Sequence, residues 1–298
     1  MLHGGGVSAP VLKAAAWMSG AVVSFTAMAI AGRAVSHTLD TFELMLYRSL
    51  VGIAIVVTVG LAAGTLNQVS FQRVHLHLFR NIAHFCGQNL WFFAIPLIPL
   101  AQVFALEFTT PLWVMILAPF FLGERLTRMR ALSACVGFLG ILLVARPDVG
   151  GISVGVVSAA LAAIGFATSA ILTKRLTRTE SITCILFFLT TMQACFGLLC
   201  AGIDGDIALP TAQIYPWLVV IGCAGLLAHF CITSALNIAP AVVVMPFDFA
   251  RLPVIAVIGM LFYNEPLDLI AILGAVIIFG ASYLNIFAET RNWASVQR

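Results

Sequence analysis

Charge is what this sequence has least of. Only 9% of its 298 residues are Asp, Glu, Lys or Arg, against about 25% in a soluble globular protein. That supply cannot cover a water-facing surface, while 61% of the chain is hydrophobic. The excess needs a second apolar solvent, which a lipid bilayer provides. The charge balance is also small. Fifteen Lys+Arg against 12 Asp+Glu leave +3 with no basic patch, which excludes nucleic acid as a partner.

Other absences narrow the chemistry. No Cys-x-x-Cys pair occurs, and all seven cysteines lie inside apolar runs, where they read as packing residues. No Gly-rich loop followed by Lys is present, which disfavours a pump driven by ATP. His75 and His77, with His84 nearby, lack a third ligand at suitable spacing and an acidic partner, so no metal is expected, and no cofactor. Gly151-Ile152-Ser153-Val154-Gly155 fits the G-x-S-x-G pattern but has no strand before it. With no defensible catalytic set, an enzyme is not expected. The first apolar run is long enough to span a bilayer, so removal as a signal peptide is not expected either.

What is present is a series of apolar runs of membrane-crossing length, about 20 residues each. Polar and Pro/Gly punctuation divides them at 14–33, 42–63, 74–94, 98–122, 128–146, 152–174, 182–202, 213–235, 240–262 and 267–287. The chain also resembles itself at an offset of 141 residues. That shift lays Ser24–Ala29 on Gly165–Ala170, Pro99 on Pro240, Glu107 on Asp248 and Glu124 on Glu265. Around the last pair, GERLT (123–127) overlays NEPLD (264–268). Each half therefore holds five spans, over 1–147 and 148–298. Five is odd, so the second half enters the membrane upside down. The expected fold is an all-α membrane protein of ten helices in two inverted five-helix repeats around a central cavity, a common construction for secondary transporters.

Basic residues orient it. With the N-terminus in the cytoplasm, the cytoplasmic segments carry ten of them, Arg73, Arg128 and Lys174 included. The opposite side carries only Arg33 and Arg146. Both termini are expected in the cytoplasm of a bacterial inner-membrane protein, with a monomer as the unit.

A few polar residues stand where they cost most. Charge at the bilayer centre costs about 2.5–3.5 kcal/mol per residue. Asp248 and Arg251 share a helix face at i,i+3, between Pro246 and Pro253, and Glu107 is the repeat partner of Asp248. They either line a wet cavity or pin the ninth helix to a neighbour. On the third span Arg80, His84, Gln88 and Trp91 form one stripe. It reads as a solute-binding wall or as interhelical hydrogen bonding. His229 is the counterpart of Gln88. Trp17, Ser24 and Met28 share a face of the first span. Tyr47 and Arg48 read as an interfacial belt and a snorkelling cation.

Thr109-Thr110-Pro111 in the fourth span, Gly123-Glu124-Arg125 closing it, Arg146-Pro147 after the fifth and the degenerate Asn264-Glu265-Pro266 together resemble the EamA-type members of the drug/metabolite transporter superfamily, over essentially the whole chain. Within it, amino-acid exporters of the YddG kind look like relatives. The resemblance implies ten helices as a basket around a cavity that works by alternating access. The expected cargo is a small amphipathic metabolite, amino acids first, aromatic ones included, moved outward. Other cargoes in the family, S-adenosylmethionine or drugs, and a non-transporting scaffold are the alternatives. Trp91, His84, Gln88, His229 and Trp17 are the candidate residues for the solute body, and Asp248, Arg251 and Glu107 for its charged groups.

Overall fold

The structure is a computed structural model. It describes residues 9–122, 128–145, 152–203, 205–238, 247–248, 251–266 and 268–296. Gly123-Glu124-Arg125, Arg146-Pro147, Pro240, Pro246 and the boundary at 147/148 lie outside these.

The described residues form eleven α-helices: α1 Ala9–Val35, α2 Thr41–Ala62, α3 Val74–Ala94, α4 Leu100–Glu107, α5 Thr110–Leu122, α6 Arg128–Ala145, α7 Val154–Leu176, α8 Ile182–Ala201, α9 Tyr215–Ile238, α10 Arg251–Tyr263 and α11 Leu269–Val296. No strand occurs among them. The fourth span is two helices, where one was expected. Pro111 has no N–H to give the Glu107 carbonyl, and the Thr110 hydroxyl donates to that oxygen instead, at 2.6 Å. The Thr109 hydroxyl donates to Leu106 O at 2.7 Å. The TTP motif therefore breaks the helix directly behind Glu107.

Caps start the helices in matching places. Asp40 accepts the Phe42 and Glu43 N–H groups at 2.7 and 2.8 Å, and Glu43 returns a bond to Asp40 N, a capping box for α2. The counterpart of Asp40 at the 141-residue offset is Ser181, which caps α8 by accepting Cys184 N–H at 3.1 Å. Pro253 is the third described residue of α10.

Packing shows the symmetry. Helix α1 lies along α9 and α3 along α7, while α2 packs on α8, α6 on α11 and α4 on α10. Numbered as spans, these partners are 1–8, 3–6, 2–7, 5–10 and 4–9. Exchanging the halves turns 1–8 into 6–3 and returns the other three pairs to themselves, as a twofold axis requires. Close approach depends on small residues. A Cβ on Gly165 would stand 2.8 Å from Gly87 Cα and from Ala83 O, and one on Gly140 would stand 2.7 Å from Gly274 O.

The outside is apolar. Val23, Leu61, Phe79, Leu139, Leu199 and Phe262 are each more than half exposed. Five helices among the described residues are long and apolar enough to cross a membrane. Helix α3 is not among those five, because the polar stripe lowers its hydropathy. The chain is a multi-pass membrane protein. Of the seven cysteines, Cys86, Cys135, Cys195 and Cys223 are exposed on this apolar surface, and Cys184 and Cys231 are buried; all are free.

Candidate functional site

Two faces of the bundle can be told apart. The first carries residues 36–40 and 95–99. There Glu43 accepts Ala208 N–H and the Tyr47 hydroxyl donates to Ala208 O at 2.7 Å. The second carries residues 63–73 and 177–181, where Ser70 N–H donates to Cys184 Sγ at 3.4 Å.

Between them lies a cavity of about 170 Å³, well above the roughly 10–15 Å³ that one water needs. Its lining obeys the repeat. Phe25/Phe166, Met28/Ser169, Gln88/His229, Trp91/Ile232, Glu107/Asp248 and Thr110/Arg251 are six pairs at the 141-residue offset with both members in the wall. The pseudo-twofold axis therefore runs through the cavity.

The symmetry is broken in one direction. Arg80, Thr173, Ile185 and Leu186, all toward the second face, also line the cavity. Their counterparts toward the first face are Ile221, Gly32, Leu44 and Met45. Ile221, Leu44 and Met45 are buried core, and the Cβ position of Gly32 abuts the Phe92 ring at 2.6 Å. The cavity thus extends toward the second face and is packed shut toward the first.

A clasp completes that closure. Arg33 Nη1 donates to Glu265 Oε1, its Nε and Nη2 donate to the Ile95 carbonyl, and its Nη2 also reaches Ile98 O at 2.8 Å. The Leu100 N–H donates to Glu265 Oε2 at 3.0 Å, and Tyr263 stacks 4.9 Å under the guanidinium. The ends of α1, α3 and α10 are tied together this way.

At mid-depth Arg251 holds the centre of the wall. Its Nη2 reaches Asp248 Oδ2 at 2.5 Å and Glu107 Oε1 at 3.0 Å. Three rings surround it, Phe25 at 4.6, Phe104 at 5.0 and Phe108 at 5.3 Å. The Trp91 indole N–H donates to Glu107 Oε2 at 2.8 Å. Charge pairing and cation–π contact together offset the burial. The pairing is incomplete, because Arg251 Nε and Nη1 and Asp248 Oδ1 have no protein partner. His84 and His229 meet edge-on with ring centroids 4.9 Å apart, and His84 Nε2 and Gln88 Oε1 are likewise without partners. Buried polar atoms are nearly always satisfied. Orphans gathered in one cavity wall are suited to water or a solute.

Seven of the eight expected solute-contact residues line the cavity: Trp91, His84, Gln88, Asp248, Arg251, Glu107 and His229. Trp17 does not. It packs edge-on against Phe230 at 5.5 Å, away from the lining. The asymmetric members Arg80 and Thr173 complete the wall, together with the Phe25/Phe166 pair. The repeat could have found the phenylalanines, since the matching Ser24–Ala29 stretch contains Phe25. Arg48 is no snorkelling cation. It is 6% exposed, and its Nη2 stands 3.0 Å from where a Gly225 Cβ would be. The expectation that His77 lacks metal partners is also corrected. The fold brings His77, Glu180 and Cys184 together with ligand atoms all within 4.8 Å, a set that could hold a metal ion.

An all-helical duplicated bundle with a charged cluster in a cavity on its axis has the build of a membrane transporter. The EamA-like transporter family matches the chain twice, over residues 12–146 and 153–287, and the chain belongs to that family. Among its relatives is a riboflavin transporter of Brucella anthropi, 34% identical over 211 residues, 70% of this chain and 74% of the relative. An S-adenosylmethionine uptake transporter of Rickettsia bellii is 26% identical over 279 residues, 92% of this chain and 94% of the relative. A solved crystal structure matches 93% of this chain and 98% of its own at a TM-score of 0.65 and 18% identity, a likeness of fold. The family and its relatives make this a small-metabolite transporter and give no ground for an enzyme.

Proposed function

We propose that the protein is a secondary transporter that carries a ring-bearing, polar-ended metabolite through the central cavity by alternating access. The carrying observation is the cavity on the pseudo-twofold axis, lined by six repeat-related pairs and extended toward one face only. Two inverted halves that rock about such an axis expose the same site to either side in turn. Breaking the Arg33–Glu265 clasp is then the step that opens the first face. The charge asymmetry of the loops supports a cytoplasmic second face with both termini on it, and the bacterial relatives support a bacterial inner membrane.

The site suits a planar ring. Trp91, His84, His229, Phe25 and Phe166 supply aromatic faces, and the orphaned atoms of Gln88, Asp248 and Arg251 supply directional hydrogen bonds. Riboflavin and S-adenosylmethionine, named for two relatives, both combine a fused heterocycle with a polar tail. Such solutes head our list of candidates. A second reading, aromatic amino acids, is favoured by the Asp248–Arg251–Glu107 cluster, which offers an acid and a base to a zwitterion. Uptake in the name of the Rickettsia relative favours inward movement over the export suggested by the sequence resemblance.

The test is flux of labelled riboflavin, S-adenosylmethionine and tryptophan into liposomes holding the purified chain, beside empty liposomes. Saturable movement of any one of them supports the reading, and none above the empty control refutes it. Repeating the flux with an imposed pH gradient separates proton coupling from facilitated movement, for which Glu107 and Asp248 are the carboxylates at hand.

A further inference from the structure

Two of the buried arginines have no counter-charge. Arg33 is met by Glu265 and Arg251 by Glu107 and Asp248. Arg80 is 3% exposed, and its partners are neutral: Nε donates to Thr173 Oγ1 at 3.1 Å and Nη1 to Asn81 Oδ1 at 2.8 Å. Its Nη2 donates to nothing among the described residues. Arg48, equally enclosed, has one hydrogen-bond partner among the described residues, the neutral Met45 Sδ, at 3.8 Å. Neither forms an ion pair among the described residues. Removing a buried charge from its partner is strongly unfavourable, and in a membrane interior more so. A chain that sets carboxylates against two arginines and none against the other two has left room for an anion.

Position says which one. Arg80 lines the end of the cavity toward the second face, and His84, one turn along the same face of α3, presents an unpartnered Nε2. Thr173 and Asn81 fix the guanidinium and leave one terminal nitrogen free. That nitrogen and one imidazole N–H are two donors for two oxygens. We propose that Arg80 and His84 form a carboxylate-binding subsite at the end of the cavity toward the second face, so that the transported solute is an organic acid, which favours S-adenosylmethionine and the amino acids over riboflavin among the candidates above. This subsite rests on the transport reading above. Eleven residues separate Arg80 from Trp91, about 16 Å along the helix at 1.5 Å each. The acid group thus docks near the second face, and the ring lies inward, between the histidine pair and Trp91. A phosphate dianion, with three oxygens and two charges, would find too few donors.

Calorimetric titration of the purified full chain with benzoate, benzamide and phenyl phosphate tests this. Benzoate is expected to bind at least about tenfold more tightly than benzamide, the difference one charge-assisted hydrogen bond makes. Arg80→Gln should bring that ratio to about one, and Arg80→Lys should keep part of it. Equal binding of benzoate and benzamide, or an unchanged ratio in Arg80→Gln, overturns the subsite. Stronger binding of phenyl phosphate than of benzoate overturns its assignment to carboxylates. If Arg80→Gln aggregates on size exclusion, the wild-type ratio and Arg80→Lys decide. The liposome flux stands apart. A chain that prefers benzoate but moves nothing keeps the subsite and loses transport. One whose flux ignores the acid group keeps transport and loses the subsite.

Discussion

Replacing Arg251 by Gln leaves Glu107 and Asp248 facing one another in a buried wall with no cation between them. Stripping one partner from a buried pair costs about 3–5 kcal/mol. The three rings that surround the guanidinium lose a further cation–π contribution, about 0.5–1 kcal/mol even at an exposed site. Arg251→Gln should therefore destabilise the chain by about 4–6 kcal/mol. Asp248→Asn leaves Arg251 bonded to Glu107 at 3.0 Å and keeps the rings, so its cost should be about 1–3 kcal/mol. In the double variant only Glu107 remains, still accepting the Trp91 N–H. The two substitutions should therefore couple by up to about 3 kcal/mol, with the pair costing less than the sum. Reversible unfolding of all four proteins in mixed micelles measures the cycle. A single-variant cost under about 1 kcal/mol for Arg251→Gln, or strict additivity, would refute a buried charged cluster.

Glu265→Gln should loosen the clasp and populate a conformer open at the first face; spin labels at Leu97 and Leu209 in a cysteine-free background should then report a second, longer distance, and an unchanged distribution would remove the clasp from the closure. Trp91→Ala should slow flux of ring-bearing solutes by about tenfold or more while sparing small ones; equal loss for all would assign Trp91 to packing alone. Gly165→Leu should abolish a folded protein, because even a Cβ there stands 2.8 Å from α3 backbone; a well-folded variant by size exclusion would contradict the α3–α7 contact.

Much of the fold was legible because inversion leaves a written trace. Glu107 and Asp248, far apart in sequence, share the offset that also pairs Gln88 with His229, and all four meet in the cavity. The polar stripe on α3 was legible for an energetic reason, since no lipid-facing helix tolerates Arg80, His84 and Gln88 in a row. What could not be read was direction. Sequence gives both members of each pair equal standing, whereas Thr173 lines the opening and its counterpart Gly32 is packed shut. Arg48 and Trp17 were misjudged because position along a span sets depth, whereas rotation of the helix and the neighbour opposite set burial. Gly225 makes the space that Arg48 occupies. The His77–Glu180–Cys184 group was invisible because its members come from two helices and a turn.

The clasp has an unequal twin. Repeat arithmetic sets Lys174 opposite Arg33 and Glu124 opposite Glu265. Lysine is a point charge on a flexible stem, with no planar fork to hold two carbonyls and a carboxylate at once. The fork at Arg33 thus has no equal at the matching position. If the halves rock as proposed, the stroke that unfastens Arg33 from Glu265 should be the harder of the two, and the conformer described, with that bond made, the one at rest.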